Sequence, residues 1–443
     1  MHSFLSPLSS LPRRSVSRIA RGLRQYAGRL RLFRRNARLY LLNVVISGVA
    51  HGVFYLLFNF YVLSLGYDQA LAGRMLTVSS TASLIGALPM GYFSDRAGRK
   101  VSLLIGNLGL SLSVLGMVVW RTQEALYLFN VLFGLATSLT WVTMGPFVME
   151  NSGSEERTYL FSFSAGIQMT SQFLGNWLGG RLPGWLGRLL GFSATSPPAY
   201  GNAIASVVLL GLLGLLPLLL LRRQHKSAEV EAKRTSPFDF ARRNPVLLVK
   251  LIGPGFIISL GAGLVMPFMN LFFRSVHLRS DAAIGTLFAW GSLAMALGLL
   301  LAAPLADRWG KIKVVVVSQS LSIPFLVMLG FAPWYWVSAG AYLVRLALMN
   351  MSWPVFDAFV LEQVEEQSRG IVASLVSMSS SFGWAFSPMV SGWMQIRYGF
   401  GPIFLITIST YLLAIFLYWR FFWRHPEKPA AQQVAASKDP LDD

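Results

Sequence analysis

The chain contains no cysteine, which excludes disulfides and thiolate metal sites. Charge is scarce as well. Only 13% of its 443 residues are charged, about half the usual share for a soluble domain. The alternating polar and apolar pattern of strands is missing, while 54% of residues are hydrophobic. A soluble protein of this length needs far more polar surface. These shortages predict an all-α polytopic membrane protein. The five histidines have no ligand spacing. There is no serine–histidine–acid arrangement and no phosphate-cradling glycine loop followed by Lys-Ser/Thr. Nothing therefore points to an enzyme, a cofactor or a bound metal.

What is present is a series of long apolar stretches. Twelve are read as transmembrane helices, at about 39–66, 75–93, 102–120, 125–149, 159–183, 200–221, 247–273, 282–305, 314–332, 334–361, 371–396 and 402–419. Most reach the ~20 residues that cross a hydrocarbon core, and the longer ones imply tilt. A polar segment at 222–246 separates spans six and seven. The expected organisation is a basic N-terminal segment at 1–38, a six-helix bundle at 39–221, the linker at 222–246, a second bundle at 247–422, and a disordered tail at 423–443.

The two bundles carry a repeat. Gly91-Tyr-Phe-Ser-Asp95-Arg96-Ala-Gly98-Arg99-Lys100 is a short charged turn between spans two and three. Asp95-Arg96-x-Gly98 returns 212 positions later as Asp307-Arg308-x-Gly310, followed by Lys311. A second pair repeats at the same offset: Glu150 and Arg157 in the first half, Glu362 and Arg369 in the second. Two unrelated motifs at one spacing identify a duplicated chain with pseudo-symmetric halves.

The net charge of +19 is a topology signal. With both termini and the repeated motifs on one side, the opposite side holds Arg74, Arg121, Arg181, Arg188, Arg274, Arg279 and Arg397, and Arg345 lies inside span ten. All other lysines and arginines of the 38 fall on the motif side. This imbalance predicts cytoplasmic termini, in a bacterial-type plasma membrane, and excludes a nucleic-acid partner. Residues 1–38 hold ten arginines and no acid. The apolar positions Ile19, Leu23, Tyr26, Leu30 and Phe33 make one helical face. Such a helix suits an anionic lipid surface. A solvated basic tail and an organelle transit peptide are the other readings.

Twelve spans in two halves, with the G-x-x-x-D-R-x-G-R-K loop after span two, resemble the major facilitator superfamily (MFS) over about residues 39–422. The second loop keeps Asp307, Arg308, Gly310 and Lys311 and loses the leading glycine. The resemblance implies a monomeric secondary active transporter that works by alternating access, with spans one, four, seven and ten lining a cavity. In span five, Gly175-Asn176-Trp177-Leu178-Gly179-Gly180 resembles the antiporter motif of drug exporters; close helix packing by small residues is the alternative. Span seven lacks the paired glutamines of sugar porters.

The residues themselves suggest two sets. Asp95, Arg96, Arg99, Glu150 and Arg157 can form a charged gate at the motif end of the first half, and Asp307, Arg308, Glu362 and Arg369 the equivalent in the second. Arg345 lies roughly 16 Å into span ten, near the midplane, where a guanidinium needs a wet cavity or a partner. His51 is at similar depth and can change charge near neutral pH. Asn59 and Asn270 hold nearly matching places in spans one and seven. Gln168, Gln172 and Asn176 stack on one face of span five, and Asn350 and Asp357 lie in span ten. Each can contact substrate or a coupling ion, or bond helix to helix. Trp141, Trp290 and Trp384 can pave a lipophilic cavity or pack in the core.

No acid lies at mid-depth, so proton coupling would fall to His51, Asp357 or Glu150. The expected function is gradient-driven export of a small organic or amphiphilic solute. Uptake of an organic anion, a lipid flippase and a non-transporting receptor are the alternatives.

Overall fold

The computed structural model describes residues 33–222, 245–364 and 369–423, leaving out the side chains of residues 154–158 and 370. Most of the basic N-terminal segment, the linker and the tail lie outside these residues.

The helices of the first half are α1 (Arg35–Ser64), α2 (Gln69–Ala97), α3 (Arg99–Val119), α4 (Gln123–Glu150), α5 (Ser154–Gly179), a short α6 (Leu182–Leu190) and α7 (Pro197–Leu219). The second half has α8 (Pro245–Val265), α9 (Met269–Ser275), α10 (Asp281–Trp309), α11 (Lys311–Phe331), α12 (Tyr335–Glu362), α13 (Arg369–Tyr398) and α14 (Gly401–Phe422). Ten spans, counting α8 and α9 as one, are long and apolar enough to cross a membrane. The other two, α5 and α13, have 26 and 30 residues. They have the length but carry more polar side chains.

The duplication reaches the helix ends. Adding 212 to the bounds of α2, α3 and α4 gives the bounds of α10, α11 and α12. The turns between the first two of each trio match as well: Gly98 has φ 90° and ψ 151°, Gly310 φ 86° and ψ 148°. That region of backbone space is open to glycine almost alone, which explains why the motif keeps this residue in both copies. Helix starts are set by short polar caps. The Asp68 carboxylate accepts from the Leu71 amide at 2.8 Å, and the Ser280 hydroxyl caps the equivalent start of α10.

Packing follows the same symmetry. In the first half α1 lies against α5 and α7, and α4 against α2 and α3; in the second, α8 lies against α13 and α14, and α12 against α10 and α11. Two seams join the halves, α2 with α13 and α5 with α10. Each seam is the image of the other under exchange of the halves.

Two features escape the sequence reading. The helix α6 fills the connection after span five. Span seven is interrupted by a 3-10 turn at Met266–Phe268, since Pro267 has no amide hydrogen to continue the α-helical ladder.

Candidate functional site

The motif turns, with Glu150 and Glu362, mark one end of the molecule, here the motif end. The opposite, far end is where the halves meet most closely. Hydrogen bonds that join the halves gather toward the far end. The Asn59 amide donates to the Pro267 carbonyl at 2.7 Å and to Asn270 Oδ1 at 3.0 Å, and Asn270 donates to the Leu56 carbonyl at 2.8 Å. Both asparagines are 2% exposed. They form a cross-half lock, and the broken helix at Pro267 supplies one of its acceptors.

A second far-end group surrounds Tyr200 of α7. Arg274 of α9 donates to the Tyr200 hydroxyl at 2.7 Å, and that hydroxyl donates to Asp281 of α10 at 2.5 Å. Arg274 also lies over the Phe60 ring, 4.5 Å from its centroid, and 3.7 Å from the Asp281 carboxylate. Arg181 reaches Thr286 at 3.2 Å, and Asn176 reaches Ser292 at 3.3 Å, both across the α5–α10 seam. Glycine allows this closeness: a Cβ on Gly180 would collide with the Asp281 carbonyl, and one on Gly73 with that of Pro388. Nearby, in the loop before α10, burial pushes His277 below its ordinary range, with Arg279 adding to the effect. Tyr200, Arg274, Asp281, Arg181 and Thr286 were not picked out from the sequence, where each reads as an ordinary interfacial residue.

Between the halves, at mid-depth and toward the motif end, lies an open cavity of about 500 Å³. Its walls come from α1, α2, α4, α12 and α13. Spans one, four and ten line it as expected, span seven does not, and spans two and eleven contribute the facing walls. Hydroxyls dominate those walls, with Ser79, Ser80 and Ser83 on α2 and Ser377, Ser380 and Ser381 on α13. Tyr55, Phe133, Trp141, Trp353 and Trp384 add aromatic faces.

The candidate residues separate around this cavity. His51 is half-buried, its ring centroid 4.2 Å from that of Tyr55, which lines the cavity. Asp357 lies one turn from Trp353 and near Tyr418. Gln168 and Gln172 are half-buried on α5, and the Asn350 side chain bonds its own helix at Leu346. Trp290 packs edge-on against Phe173. Asn59, Asn270 and Asn176 belong to the far-end seam.

Arg345 lies inside the second half, 1% exposed. Its Nη1 approaches the Met266 sulfur at 3.7 Å, and the guanidinium sits 5.2 Å from the Tyr411 ring centroid. Its Nε and Nη2 have no hydrogen-bond partner among the described residues. That edge is the one a guanidinium uses for two-point bonding to an anion. Arg345 is not among the residues lining the cavity.

At the motif end, charges pair within each half. Arg99 binds Asp95 at 2.6 Å and Glu150 at 2.9 Å, and also donates to Ser94. Lys100 caps the end of α7 by donating to the Leu219 and Leu221 carbonyls at 2.6 Å. Arg96 instead turns onto Tyr92, donating to its hydroxyl at 2.7 Å. In the second half Lys311, the counterpart of Arg99, holds Glu362 at 2.7 Å. Arg369 donates to the Leu361 carbonyl. Among the described residues, no side-chain ion pair or hydrogen bond forms at Asp307 or Arg308, and the Arg157 side chain lies outside those residues. No cluster of three or more metal-ligating side chains occurs among the described residues.

Comparison with known proteins agrees with this architecture. The family model of the Major Facilitator Superfamily matches residues 40–273 and again 251–440. A tetracycline resistance protein, class H, from Pasteurella multocida is 26% identical over 369 residues, covering 81% of this chain and 88% of that protein. The multidrug resistance protein MdtG of Enterobacter lignolyticus (strain SCF1) is 24% identical over 392 residues, covering 86% and 90%. Among solved structures, a variant of the nucleoside transporter NupG superposes with a TM-score of 0.71 at 17% identity, covering 87% of this chain and all of that one.

Proposed function

Because the chain belongs to the Major Facilitator Superfamily of multi-pass membrane transporters, we propose that it exports small amphiphilic organic solutes by alternating access. One observation carries the reading. A cavity bounded by both halves lies at mid-depth, and the hydrogen bonds that join the halves gather beyond it at the far end, in the Asn59–Asn270 lock and the Tyr200 group. With the motif end in the cytoplasm, as the basic residues predict, this is the state that loads solute from inside. The second state follows by rocking the halves about the two seams, opening the far end and bringing the motif ends together. Relatives named for tetracycline and multidrug resistance support export over uptake. Energy comes from an ion gradient, and the candidates to carry a proton are His51, against the cavity-lining Tyr55, and Asp357, one turn from the cavity-lining Trp353.

The test is flux in oriented membranes. Inside-out vesicles carrying the chain, with an acid-inside gradient, are expected to accumulate tetracycline or a neutral fluorescent amphiphile and to lose it with a protonophore. Accumulation into right-side-out vesicles instead would make the protein an importer. Binding without flux would make it a receptor, and leaflet exchange of headgroup-labelled lipid would make it a flippase.

A further inference from the structure

Trp141 and Trp353 are separated by 212 residues, the offset of the duplication. Each lies nine residues before the glutamate that ends its helix, Glu150 or Glu362. That places both about 14 Å in from the motif end along their helices. Both line the central cavity, with 62% and 53% of their surface exposed. Neither ring stacks on another aromatic side chain among the described residues. Indole is the largest apolar surface a side chain offers, and two such faces left bare at one depth in both halves need an occupant.

The residues that line the wall carry no full charge, and a carboxylate, Asp357, lies one turn beyond Trp353 on α12. Among the residues lining the cavity there is no aspartate, glutamate, lysine, arginine or histidine. Its polar side chains include hydroxyls on α2, α4 and α13. Two of them, Ser79 and Ser381, donate to carbonyls of their own helices and so present oxygen lone pairs to the cavity. A charged solute entering here would shed water and find no countercharge among the lining residues, which is costly. A neutral ring system loses little and gains stacking on indole and hydrogen bonds from rotatable hydroxyls.

We infer that this cavity binds an uncharged, flat, hydrogen-bonding organic solute against the paired faces of Trp141 and Trp353. The inference rests on the transport reading for its biological role and narrows the solute class within it. It narrows the amphiphilic solutes expected from the sequence to uncharged ones, since neither Arg345 nor His51 lines the wall. A volume of about 500 Å³ limits the solute to drug-like size. Indole faces attract cations too, so a lipophilic cation is the competing occupant.

The test uses binding, so that it stands apart from flux. The full-length chain in lipid nanodiscs is titrated with three 7-methoxycoumarins that differ only at position 4: hydroxymethyl, trimethylammoniomethyl and carboxymethyl. The hydroxymethyl compound is expected to bind more than about tenfold tighter than either charged one. Trp141→Leu and Trp353→Leu should each weaken it roughly three- to tenfold, Trp→Phe at either position less, and Trp336→Leu at the far end not at all. Equal or tighter binding of a charged coumarin, no binding of the neutral one, or full affinity in both leucine variants with native circular dichroism would overturn the inference. Binding of the neutral compound without vesicle flux would instead overturn the transport reading and leave this one standing.

Discussion

Asn59 and Asn270 stand 211 residues apart and bond directly to each other across the two halves, Nδ2 to Oδ1 at 3.0 Å. The pair is what a duplicated chain provides when nearly matching positions of its two halves meet between them. Each asparagine also holds a backbone carbonyl of the opposite half, Pro267 or Leu56. Asn59→Ala removes two bonds and leaves buried partners unmet, about 2–4 kcal/mol against the closed far end. The far-end-open state should gain roughly thirtyfold or more in population, by the same estimate. The cysteine-free chain accepts a spin-label pair at Gln123→Cys and Trp336→Cys directly. Asn59→Ala is expected to add a longer component to the distance distribution, and an unchanged distribution would remove the lock from the account.

Much of this architecture is readable from residues alone, and the reason is chemical. A charged turn between apolar spans stands out, so Asp95, Asp307, Glu150 and Glu362 reveal the duplication and its offset. Pairing is less readable. Arg99 and Lys311, not Arg96 and Arg308, hold the glutamates, because they start helices α3 and α11 and face α4 and α12. The far-end group stays hidden since Tyr200, Arg274 and Asp281 come from three elements up to 81 residues apart. Trp353 stays hidden for a different reason: a tryptophan in an apolar span looks like core until its exposure is known.

The glycine turns allow a test of the repeat at the level of energy. At Gly98 and Gly310 a Cβ would meet nothing within 4 Å, so any cost of alanine is backbone strain. The φ values of 90° and 86° set that cost at about 1–3 kcal/mol each. Gly98→Ala and Gly310→Ala should lower the apparent melting temperature in detergent by similar amounts. The double variant should lose the sum, since the turns lie in different halves and share no partner. A neutral effect at either turn would mean that its backbone relaxes freely.

Around Tyr200 the order of effects is set by charge. Tyr200→Phe loses two charge-assisted bonds but leaves Arg274 facing Asp281 at 3.7 Å, for about 1–2 kcal/mol. Arg274→Met strands a mostly buried carboxylate and should cost more, about 2–4 kcal/mol. Adding Asp281→Asn to Arg274→Met should recover part of the loss. Thermal unfolding of the four proteins measures this order, and equal effects for Tyr200→Phe and Arg274→Met would show that the charges act independently.

Arg345 separates a structural role from a working one. Its guanidinium is 1% exposed, leans on Tyr411 and Met266, and leaves Nε and Nη2 without partners. A charge kept in this way opposes folding, and replacing a buried ion with an apolar side chain of similar length is often neutral or stabilising by about 1–4 kcal/mol. Arg345→Met is therefore expected to hold or raise the melting temperature. If the open edge of the guanidinium meets solute or a coupling anion in another state of the cycle, the same variant should lose vesicle transport. Arg345→Ala is the control for packing: it leaves a void, costs about 2–5 kcal/mol, and cannot by itself tell the roles apart. A methionine variant that is both less stable and fully active would make Arg345 a packing element, held by its contacts with Tyr411 and Met266 alone.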